Sequence, residues 1–484
     1  MNEANPSEPN PGGHSRSGLS RRGALQAGLI AAAGLGAGSW SPASAATRPQ
    51  WWRRQLRKPG SLPYPRLAAG TDTIPQIRHI VVLMMENHSY DNRLGMLRRP
   101  GADGFRLGRG GQPIASNPYA NGDIQHAFHM PTTCQNNKPS QEWTQSHIQF
   151  DGGRNDGFVI SNSGPVAMGY WDSDDQPFYY SMAGIFPIGD RYFCSVLGQT
   201  YPNRRYLIAA TSIGQIDDTT PALTDYPANG TIFDAVDAAG LTWKDYYTPT
   251  ADSPYPTIAL YPKLYLDNAG TRAVPIADFF TDAAAGTLPQ VSLVEPNYDL
   301  QSEEDPQNIA VGEQFAASVI NAVMSGPGWP STLLIWTYDE HGGYYDHVPP
   351  PPALAPDNIP PDVSAISSST LPYNGFRQYG FRVPMAVISP WARPHHVSHQ
   401  VMDHTSICAL IEAKWNLPAM TYRDANAWPM LDMLDLHRPA FLRPPSLALP
   451  LLATDPSALA CNVSGPGTIP PPRSITPLPK RRGH

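Results

Sequence analysis

The feature that most constrains this sequence is a nearly continuous apolar run, IRHIVVLMM, at residues 77–85. It is rich in Val and Ile and lacks the alternation of a half-exposed strand, so it is typical of a strand buried on both faces of a parallel sheet. Similar runs occur at residues 332–337 and 383–388. A strand covered on both faces needs a layer on either side, so these runs predict a sheet enclosed by other elements.

Helical patterns lie between and after the apolar runs. Residues 231–239 and 310–325 each place apolar side chains on one face and stop before Gly240 and Gly326, as helices commonly do. Residues 403–415 form a third such pattern. Strands that alternate with helices predict an α/β fold with a largely parallel central sheet flanked by helices.

The first 45 residues have the pattern of an export signal. Arg21 and Arg22 precede an apolar Ala/Gly-rich run, and residues 43–45 have the small-x-small spacing of a cleavage site. The arginine pair resembles a twin-arginine signal, and the apolar run is shorter than the roughly 20 residues that a membrane anchor needs. We expect a protein that uses the twin-arginine export machinery and is secreted or held in the cell envelope.

Composition divides the rest of the chain. We expect an N-terminal linker at 46–76, the main domain at 77–437 and a Pro-rich basic C-terminal tail at 438–484. Within the main domain, the polar, Pro- and Gly-rich stretches at about 101–145 and 215–300 are expected to be long insertions that cap the sheet.

Charge and cysteine content narrow the class of protein. The chain has 34 Lys and Arg against 41 Asp and Glu, a net charge of −7, which disfavours a nucleic-acid partner. Cys194 and Cys408 lie in apolar surroundings and are expected to be buried free thiols. The chain has no C-x-x-C pair, which argues against a structural zinc site.

Polar residues follow two of the predicted strands, at the edge where open α/β sheets bind ligands. Glu86 and Asn87 follow the first strand, and Asp339 and Glu340 follow the second. Carboxylate and amide oxygens suit a hard divalent cation, and adjacent acids repel one another unless a cation offsets their charge. A strand-end turn with solvated polar groups is the alternative.

Two further clusters open predicted helices. Thr200 or Asn203 is the expected N-cap of the first, where a hydroxyl would lie in the positive potential of the helix N-terminus. Arg204 is a candidate clamp for a phosphate, although a plain helix start is the alternative. In the second cluster Asp403 is the expected N-cap, and His404 is a candidate to point into the site. Together the clusters suit hydrolysis of a phosphate or sulfate ester around a cation.

The segments ENHSYDN, TYPNRRY, TYDEHGGYYDHVPPP, RVPMAVISPWAR and DHTSICALIE occur in this order in the chain. In that order they resemble the family of bacterial phospholipases C and acid phosphatases, which includes plant non-specific phospholipases C. The resemblance covers about residues 77–420 and implies an alkaline-phosphatase-like α/β fold. It also implies that the main domain, 77–437, is a phosphoesterase catalytic domain.

The resemblance also implies roles for individual residues. One divalent ion, whether calcium, magnesium, manganese or zinc, would be bound by Glu86, Asn87, Asp339 and Glu340. Thr200 would be the nucleophile, activated by that ion, and would form a phosphothreonine intermediate. Asn203 and Arg204 would bind the substrate phosphate, and Asp305 would also lie in the substrate-binding set.

Two positions depart from the family pattern. Relatives often have His in an E-H-P segment where this chain reads E-D-P, with Asp305 in the middle, and another His where this chain has Gln141. Asp305 cannot be a cationic clamp, and it could donate a proton only with a raised pKa. We expect the general acid to be His347, His404 or His147.

These expectations describe an exported, metal-dependent phosphoesterase of phospholipase C type that hydrolyses phosphate diesters and contacts a membrane surface transiently. An acid phosphatase acting on monoesters is the first alternative. A non-catalytic exported protein that binds lipid or a surface is the second, because two expected histidines are missing. A sulfatase is disfavoured, since the chain has no C/S-x-P-x-R segment.

Overall fold

The computed structural model describes residues 55–134, 138–251, 253–366, 374–455 and 474–478. The export signal predicted at residues 1–45 lies outside these ranges. None of the helices in the described ranges has both the length and the apolar character needed to cross a membrane.

The strands are, in chain order, β1 (His79–Met85), β2 (Ser116–Pro118), β3 (Ile124–His126), β4 (Phe128–His129), β5 (Gly169–Tyr170), β6 (Ile188–Gly189), β7 (Trp243–Tyr247), β8 (Ala273–Pro275), β9 (Val291–Val294), β10 (Thr332–Tyr338), β11 (Met385–Ile388), β12 (Val397–Ser398) and β13 (Ile475–Thr476). The α-helices are α1 (Tyr90–Leu94), α2 (Trp143–Phe150), α3 (Pro177–Ile185), α4 (Thr200–Ala209), α5 (Ile232–Ala238), α6 (Pro262–Asn268), α7 (Ile276–Ala285), α8 (Ile309–Ser325), α9 (His404–Trp415), α10 (Tyr422–Asn426) and α11 (Leu451–Thr454). Short 3₁₀ or π turns occupy Asp151–Gly153, Val159–Ser163, Gly164–Met168, Thr257–Leu260, Trp329–Ser331, Gly375–Arg377 and Leu431–Met433.

The central sheet has eight strands in the order β12-β6-β11-β10-β1-β9-β7-β8. β1 pairs in parallel with both β10 and β9, and Met85 lies opposite Tyr338. The residues that follow β1 and β10 therefore leave the sheet side by side. The prediction of a mixed α/β fold with a mostly parallel sheet flanked by helices is confirmed.

The three apolar runs all form strands of this sheet. Every residue of β10 is buried, and in β1 only His79 is partly exposed, as expected for strands covered on both faces. β11 is the exception to the parallel direction, because it runs antiparallel to both β10 and β6.

The three predicted helices are present as α5, α8 and α9. Thr231 caps α5 in a reciprocal arrangement with Asp234, and Gly326 follows the last residue of α8. Asp403 occupies the N-cap of α9, and its backbone N–H donates to Ser406 Oγ at 3.2 Å. The prediction of Asp403 as an N-cap is therefore confirmed.

The expectation that residues 215–300 cap the sheet as an insertion is wrong. This stretch contributes β7, β8 and β9, which form the sheet edge beyond β1. The strands are only three to five residues long and lie among Pro and polar residues, so they produce no extended apolar run.

The segment 46–76 is not a linker over its described part. Arg57 N–H donates to Asn426 Oδ1 at 3.0 Å, and Tyr64 N–H donates to Asn416 Oδ1 at 2.9 Å. Thr73 Oγ1 donates to the carbonyl of Ala413 at 2.6 Å. These bonds hold the segment along the ends of α9 and α10, so it belongs to the main domain.

Parts of the segment 438–484 are also built into the domain. α11 begins where Leu451 N–H donates to the buried Glu313 of α8, at 3.3 Å. β13 adds an antiparallel strand to the small sheet of β2 and β3. Among the cysteines, Cys194 and Cys408 are free and buried, as predicted, while Cys134 is disulfide-bonded.

Candidate active site

Two turns at the carboxyl ends of β1 and β10 bring four oxygen-bearing residues together. Asn87 N–H donates to Asp339 Oδ1 at 3.1 Å, which joins the two strand ends directly. Asn87 has a left-handed backbone with φ of 67°, which Asn tolerates better than most residues. Gly342 has φ of 64°, and a Cβ there would lie 1.9 Å from the carbonyl oxygen of Asn87. Glycine is therefore required for this close approach.

Three buried carboxylates converge at this point. Asp339 and Glu340 are fully buried, and Glu86 is 5% exposed. Burial raises the pKa of each, and Arg204 opposes the rise for Glu86 and Asp339. Like charges so close together in a low-dielectric setting require compensation by cations.

Several oxygens of the cluster lack a hydrogen-bond donor. Within the described residues, Glu86 Oε2, Asn87 Oδ1 and Glu340 Oε1 are buried without a partner. Such atoms are costly unless something binds them. Both oxygens of Asp339 accept hydrogen bonds, from the backbone N–H groups of Asn87 and Glu340 and from Arg204. Carboxylate and amide oxygens are the usual ligands of hard divalent cations, so these unsatisfied oxygens fit such an ion.

A cavity of about 1190 Å³ opens beside the cluster. Its walls include Glu86, Thr200, Arg204 and Asp305, which come from three separate parts of the chain because Thr200 and Arg204 both lie in α4. The structure thus brings a hydroxyl, a carboxylate of the cation-binding set and an acid to one chamber. This volume is slightly above the roughly 300–1,000 Å³ that is typical of small-molecule sites.

Thr200 is the first residue of α4 and lies at the cavity wall. The expectation that Thr200 or Asn203 caps the helix is wrong, because Gln199 occupies the N-cap and its side chain makes no capping bond. Asp218 takes over that function, since it accepts from Tyr201 N–H at 2.8 Å. The hydroxyl of Thr200 is therefore not used in capping and lies at the positive end of the helix.

The side chain of Asn203 is fully used within the protein. Its Oδ1 accepts from the backbone N–H groups of Ser195 and Val196 at 2.8 and 3.0 Å. Its Nδ2 donates to the carbonyls of Gly198 and Gln199 at 3.0 and 2.9 Å. The expectation that Asn203 binds substrate is not supported, because these bonds hold it to the loop that precedes Thr200.

Arg204 is also committed to protein groups. Its Nε donates to Asp339 Oδ2 at 2.9 Å, Nη1 donates to Tyr298 OH at 2.8 Å, and Nη2 lies 3.6 Å from Glu86 Oε1. Arg204 is 2% exposed. Its main role is to offset the charge of the carboxylates. The expectation that Arg204 binds the substrate phosphate is therefore not supported.

Asp305 has the properties that a proton donor needs. Burial raises its pKa well above the ordinary value, although a hydrogen bond from Tyr344 OH to Oδ2, at 2.6 Å, opposes the rise. Its Oδ1 is buried and accepts no hydrogen bond from the described residues. A carboxylic acid that keeps its proton near neutral pH can serve as a general acid.

His347 lies in a different cluster and does not line the cavity. Its Nδ1 lies 2.6 Å from Asp91 Oδ2, and its Nε2 lies 3.3 Å from Asp103 Oδ1. Arg382 bonds both Asp91 and Asp346 in the same cluster. Burial alone would lower the pKa of His347, but Asp91 and Asp103 raise it to about 9. The expectation of His347 as the general acid is therefore not supported.

The other two histidines are also held away from the cavity. His404 is fully buried, with Nε2 at 2.6 Å from the carbonyl of Asp339 and Nδ1 at 3.0 Å from Tyr192 OH. Burial lowers its pKa to about 4. His147 Nδ1 donates to the carbonyl of Trp143, and burial lowers the pKa of His147 to about 4 as well. Neither histidine lines the cavity, so both expectations are unsupported.

Two residues at the site, His341 and Tyr298, were not among those predicted from the sequence. His341 is buried beside Glu340, with Nε2 at 2.6 Å from Gln149 Oε1 and Nδ1 at 3.2 Å from Glu340 Oε2, while Gly342 N–H donates to that same Oε2 at 2.8 Å. Its position directly after Glu340 is a usable hint. Tyr298 links Arg204 to Glu295, but it lies in a loop after β9 without a recognisable pattern.

The site combines a hydroxyl, an amide, three buried carboxylates and a buried acid at the carboxyl edge of the mostly parallel sheet, a set of groups that suits hydrolysis of an ester. The Phosphoesterase family model matches residues 77–418, and the chain belongs to this family. It is accordingly a hydrolase that acts on ester bonds.

Individual relatives are similar over most of the chain. Phospholipase C A of Mycobacterium tuberculosis is 31% identical over 446 residues, covering 80% of this chain and 83% of the relative. Non-specific phospholipase C1 of Arabidopsis thaliana is 31% identical over 393 residues, covering 73% and 69%. A solved alkaline phosphatase superfamily protein from Vibrio parahaemolyticus aligns over 66% of this chain and 72% of its own, at 11% identity and a TM-score of 0.34. That similarity is too low to bear on function.

Proposed function

We propose that this protein is a phospholipase C that hydrolyses the phosphate diester of phospholipids with a divalent cation and Thr200 as nucleophile. The observation that supports it is the cavity in which Thr200, Glu86 and Asp305 meet beside unsatisfied buried oxygens. The similarity to proteins named phospholipase C agrees with this substrate class.

In the first step, Thr200 Oγ1 reacts as an alkoxide, which the cation would stabilise, and it forms a bond to phosphorus while the bond from phosphorus to the diacylglycerol oxygen breaks. Asp305 transfers its proton to that oxygen, so diacylglycerol leaves as a neutral alcohol. In the second step, water attacks the phosphorus of the phosphothreonine, and the bond from phosphorus to Oγ1 breaks and regenerates the Thr200 alkoxide. One water proton returns to Asp305, the other stays on the released phosphorylated head group, and the cycle closes.

The chain prepares this chemistry before substrate arrives. Glu86, Asn87, Asp339 and Glu340 would hold the cation, which supplies Lewis-acid stabilisation of charge on the phosphate oxygens. Arg204 orients Asp339 through its bond to Oδ2 and opposes the rise that burial causes in the pKa of Asp339. The bonds of Asn203 to residues 195–199 fix the approach of the chain to Thr200.

The experiment compares Thr200→Ala with Thr200→Ser on phosphatidylcholine. We expect Thr200→Ala to lower the rate about a thousandfold or more, while the retained hydroxyl of Thr200→Ser preserves part of it. Products are identified as diacylglycerol and phosphocholine, and acid quenching of the wild type should trap a phosphorylated threonine. Undiminished hydrolysis by Thr200→Ala would contradict the proposed mechanism.

A phosphatase for monoesters is the competing reaction on the same site. The cavity extends well beyond the space that one phosphate group occupies and has apolar walls that include Tyr265, Leu266 and Leu300, which favours a lipid diester. Rates on p-nitrophenyl phosphorylcholine and p-nitrophenyl phosphate separate the two, and a higher kcat/KM on the monoester would favour the phosphatase.

We also propose that the protein is exported through the twin-arginine route. The arginine pair and the small-residue exit of residues 1–45 support it, and the disulfide at Cys134 suits an oxidising compartment. A reporter fused behind residues 1–45 should leave the cytoplasm. Replacing Arg21 and Arg22 by Lys should keep the reporter in the cytoplasm. Export of the Lys variant by the general secretory route would contradict the twin-arginine assignment.

A further inference from the structure

Four of the five most exposed large apolar side chains among the described residues gather at the opening of the cavity. Leu223 is 76% exposed, Leu266 65%, Leu300 62% and Tyr255 59%, and all four line the cavity. Side chains that line a chamber while facing solvent lie at its mouth. We call these four residues the apolar rim.

The rim is assembled from separate parts of the chain. Leu223 lies in the loop after α4, Tyr255 in the loop after β7, Leu266 in α6, and Leu300 in the loop after β9. The ring of Tyr255 lies 5.4 Å from that of Tyr265 in an edge-to-face arrangement. Single exposed leucines are ordinary on protein surfaces, but four from separate segments around one opening form a patch of the kind that marks an interaction site.

The charges around the rim do not attract an anionic surface. Lys263 on α6 is ion-paired with Asp267 one turn on, and the Asp299 carboxylate accepts from Thr250 Oγ1 at 2.7 Å. In the described part of the cavity wall, the one cationic side chain is Arg204, which is bound to Asp339. With a net charge of −7, the protein has no electrostatic preference for negatively charged lipid.

We propose that the apolar rim inserts into the surface of a zwitterionic phospholipid bilayer and places the cavity mouth against the head groups. This inference rests on the proposed function, because a phospholipid that is cleaved at its phosphate must reach Thr200 while its acyl chains stay out of water. Insertion lets the phosphate enter the cavity while the chains remain among the rim residues and the hydrocarbon. Apolar burial supplies the binding free energy, so salt has little effect.

The test measures binding to phosphatidylcholine vesicles by co-sedimentation, in a Thr200→Ala background that leaves the vesicles intact. Replacing Leu223 and Leu266 by Ser removes two large apolar groups from the rim. We expect this double change to weaken vesicle binding about tenfold or more. Leu449→Ser is the matched control, because Leu449 is 61% exposed and does not line the cavity. It should bind as the parent does.

Insertion is also observed directly. Leu266→Cys is labelled with an environment-sensitive fluorophore, and the label goes to this position because Cys194 and Cys408 are buried. Its emission should shift to the blue on addition of phosphatidylcholine vesicles, since insertion places the label in an apolar environment. Leu449→Cys should show no shift. Unchanged binding by the double Ser variant overturns the proposal, as does binding that requires anionic lipid and disappears in about 0.5 M NaCl.

Hydrolysis separates this proposal from the proposed reaction. If the rim acts at the membrane, the ratio of the rate on vesicles to the rate on soluble p-nitrophenyl phosphorylcholine falls about tenfold in the Leu223→Ser, Leu266→Ser enzyme. An equal fall on both substrates overturns the docking role. Wild-type protein that hydrolyses neither substrate but shows rim-dependent binding supports the docking surface and contradicts the proposed reaction.

Discussion

Arg204 Nε donates to Asp339 Oδ2 at 2.9 Å, and neither side chain is more than 2% exposed. This bond joins α4, the helix that carries the proposed nucleophile Thr200, to the end of β10, where Asp339 and Glu340 lie. It couples the position of Thr200 to the charge of the proposed cation site, which suggests the first prediction.

Replacing Arg204 by Ala should destabilise the protein by about 3–5 kcal/mol, because it leaves buried carboxylates without their cation. Excess divalent metal should reduce this loss, since an ion that binds the folded state alone stabilises it. Urea unfolding with and without metal measures both effects. Arg109→Ala, at an exposed position, is the control and should change neither the free energy of unfolding nor its dependence on metal. A loss that is identical with and without metal would show that Arg204 does not share the site with an ion.

Glu340→Gln should have opposite effects on the metal-free and the metal-bound protein. Removing one of several like charges should raise the thermal stability of the metal-free form, since burial and Asp339 both disfavour the ionised Glu340. It should also lower divalent-ion affinity by at least about tenfold and abolish most activity. Thermal unfolding in chelator and titration calorimetry with calcium, magnesium, manganese and zinc measure these quantities. Glu142→Gln, at an exposed site, is the matched control. Unaltered metal affinity would remove Glu340 from the ligand set.

Asp305→Asn should slow hydrolysis by a factor that depends on how strongly the leaving group needs a proton. We expect roughly a hundredfold loss of kcat on phosphatidylcholine, whose alkoxide needs a proton, and a much smaller loss on p-nitrophenyl phosphorylcholine. The protonated acid is the active form and burial raises its pKa, so wild-type activity on phosphatidylcholine should fall as pH rises through that raised pKa. The Asn variant should lose this descending limb. Equal losses on both substrates would show that Asp305 does not donate the proton.

His347 should contribute to stability rather than to chemistry. Its folded pKa of about 9 lies above the ordinary 6.5, so the stabilisation is complete below pH 6.5 and is lost as pH rises through 9. His347→Gln should lower the free energy of unfolding by about 3 kcal/mol at pH 6 and by little at pH 10. Urea unfolding across this range tests it, with the exposed His437→Gln as control. A deficit that does not change with pH would contradict a charged His347.

Local pattern was sufficient for the strands that lie within continuous apolar runs and for the helices that have one apolar face. β1, β10 and β11 appear as apolar runs because both their faces are buried, and α5, α8 and α9 as one-sided patterns with recognisable ends. β7, β8 and β9 have three to five residues among prolines and polar groups. Their membership of the sheet depends on pairing with β1 and with each other, which no local pattern reveals.

The assignment of the histidines shows the same limit within a few residues. His347 lies seven positions after Glu340, and adjacency along the chain favours a place in the same site. Gly342 and Gly343 both have positive φ, so the chain turns away from the strand end and carries His347 to Asp91. Asp305 is distant in sequence but reaches the cavity, where Tyr344 OH donates to it.

By itself, the sequence determined which residue types the protein could offer for chemistry and that they follow buried strands, because residue type and period are local properties. Tertiary structure decided which of them share a cavity, which side chains bond to protein neighbours, and which acids have a raised pKa. Those outcomes depend on burial and on hydrogen bonds between segments far apart in the chain, as for Arg204 with Asp339 and Tyr344 with Asp305.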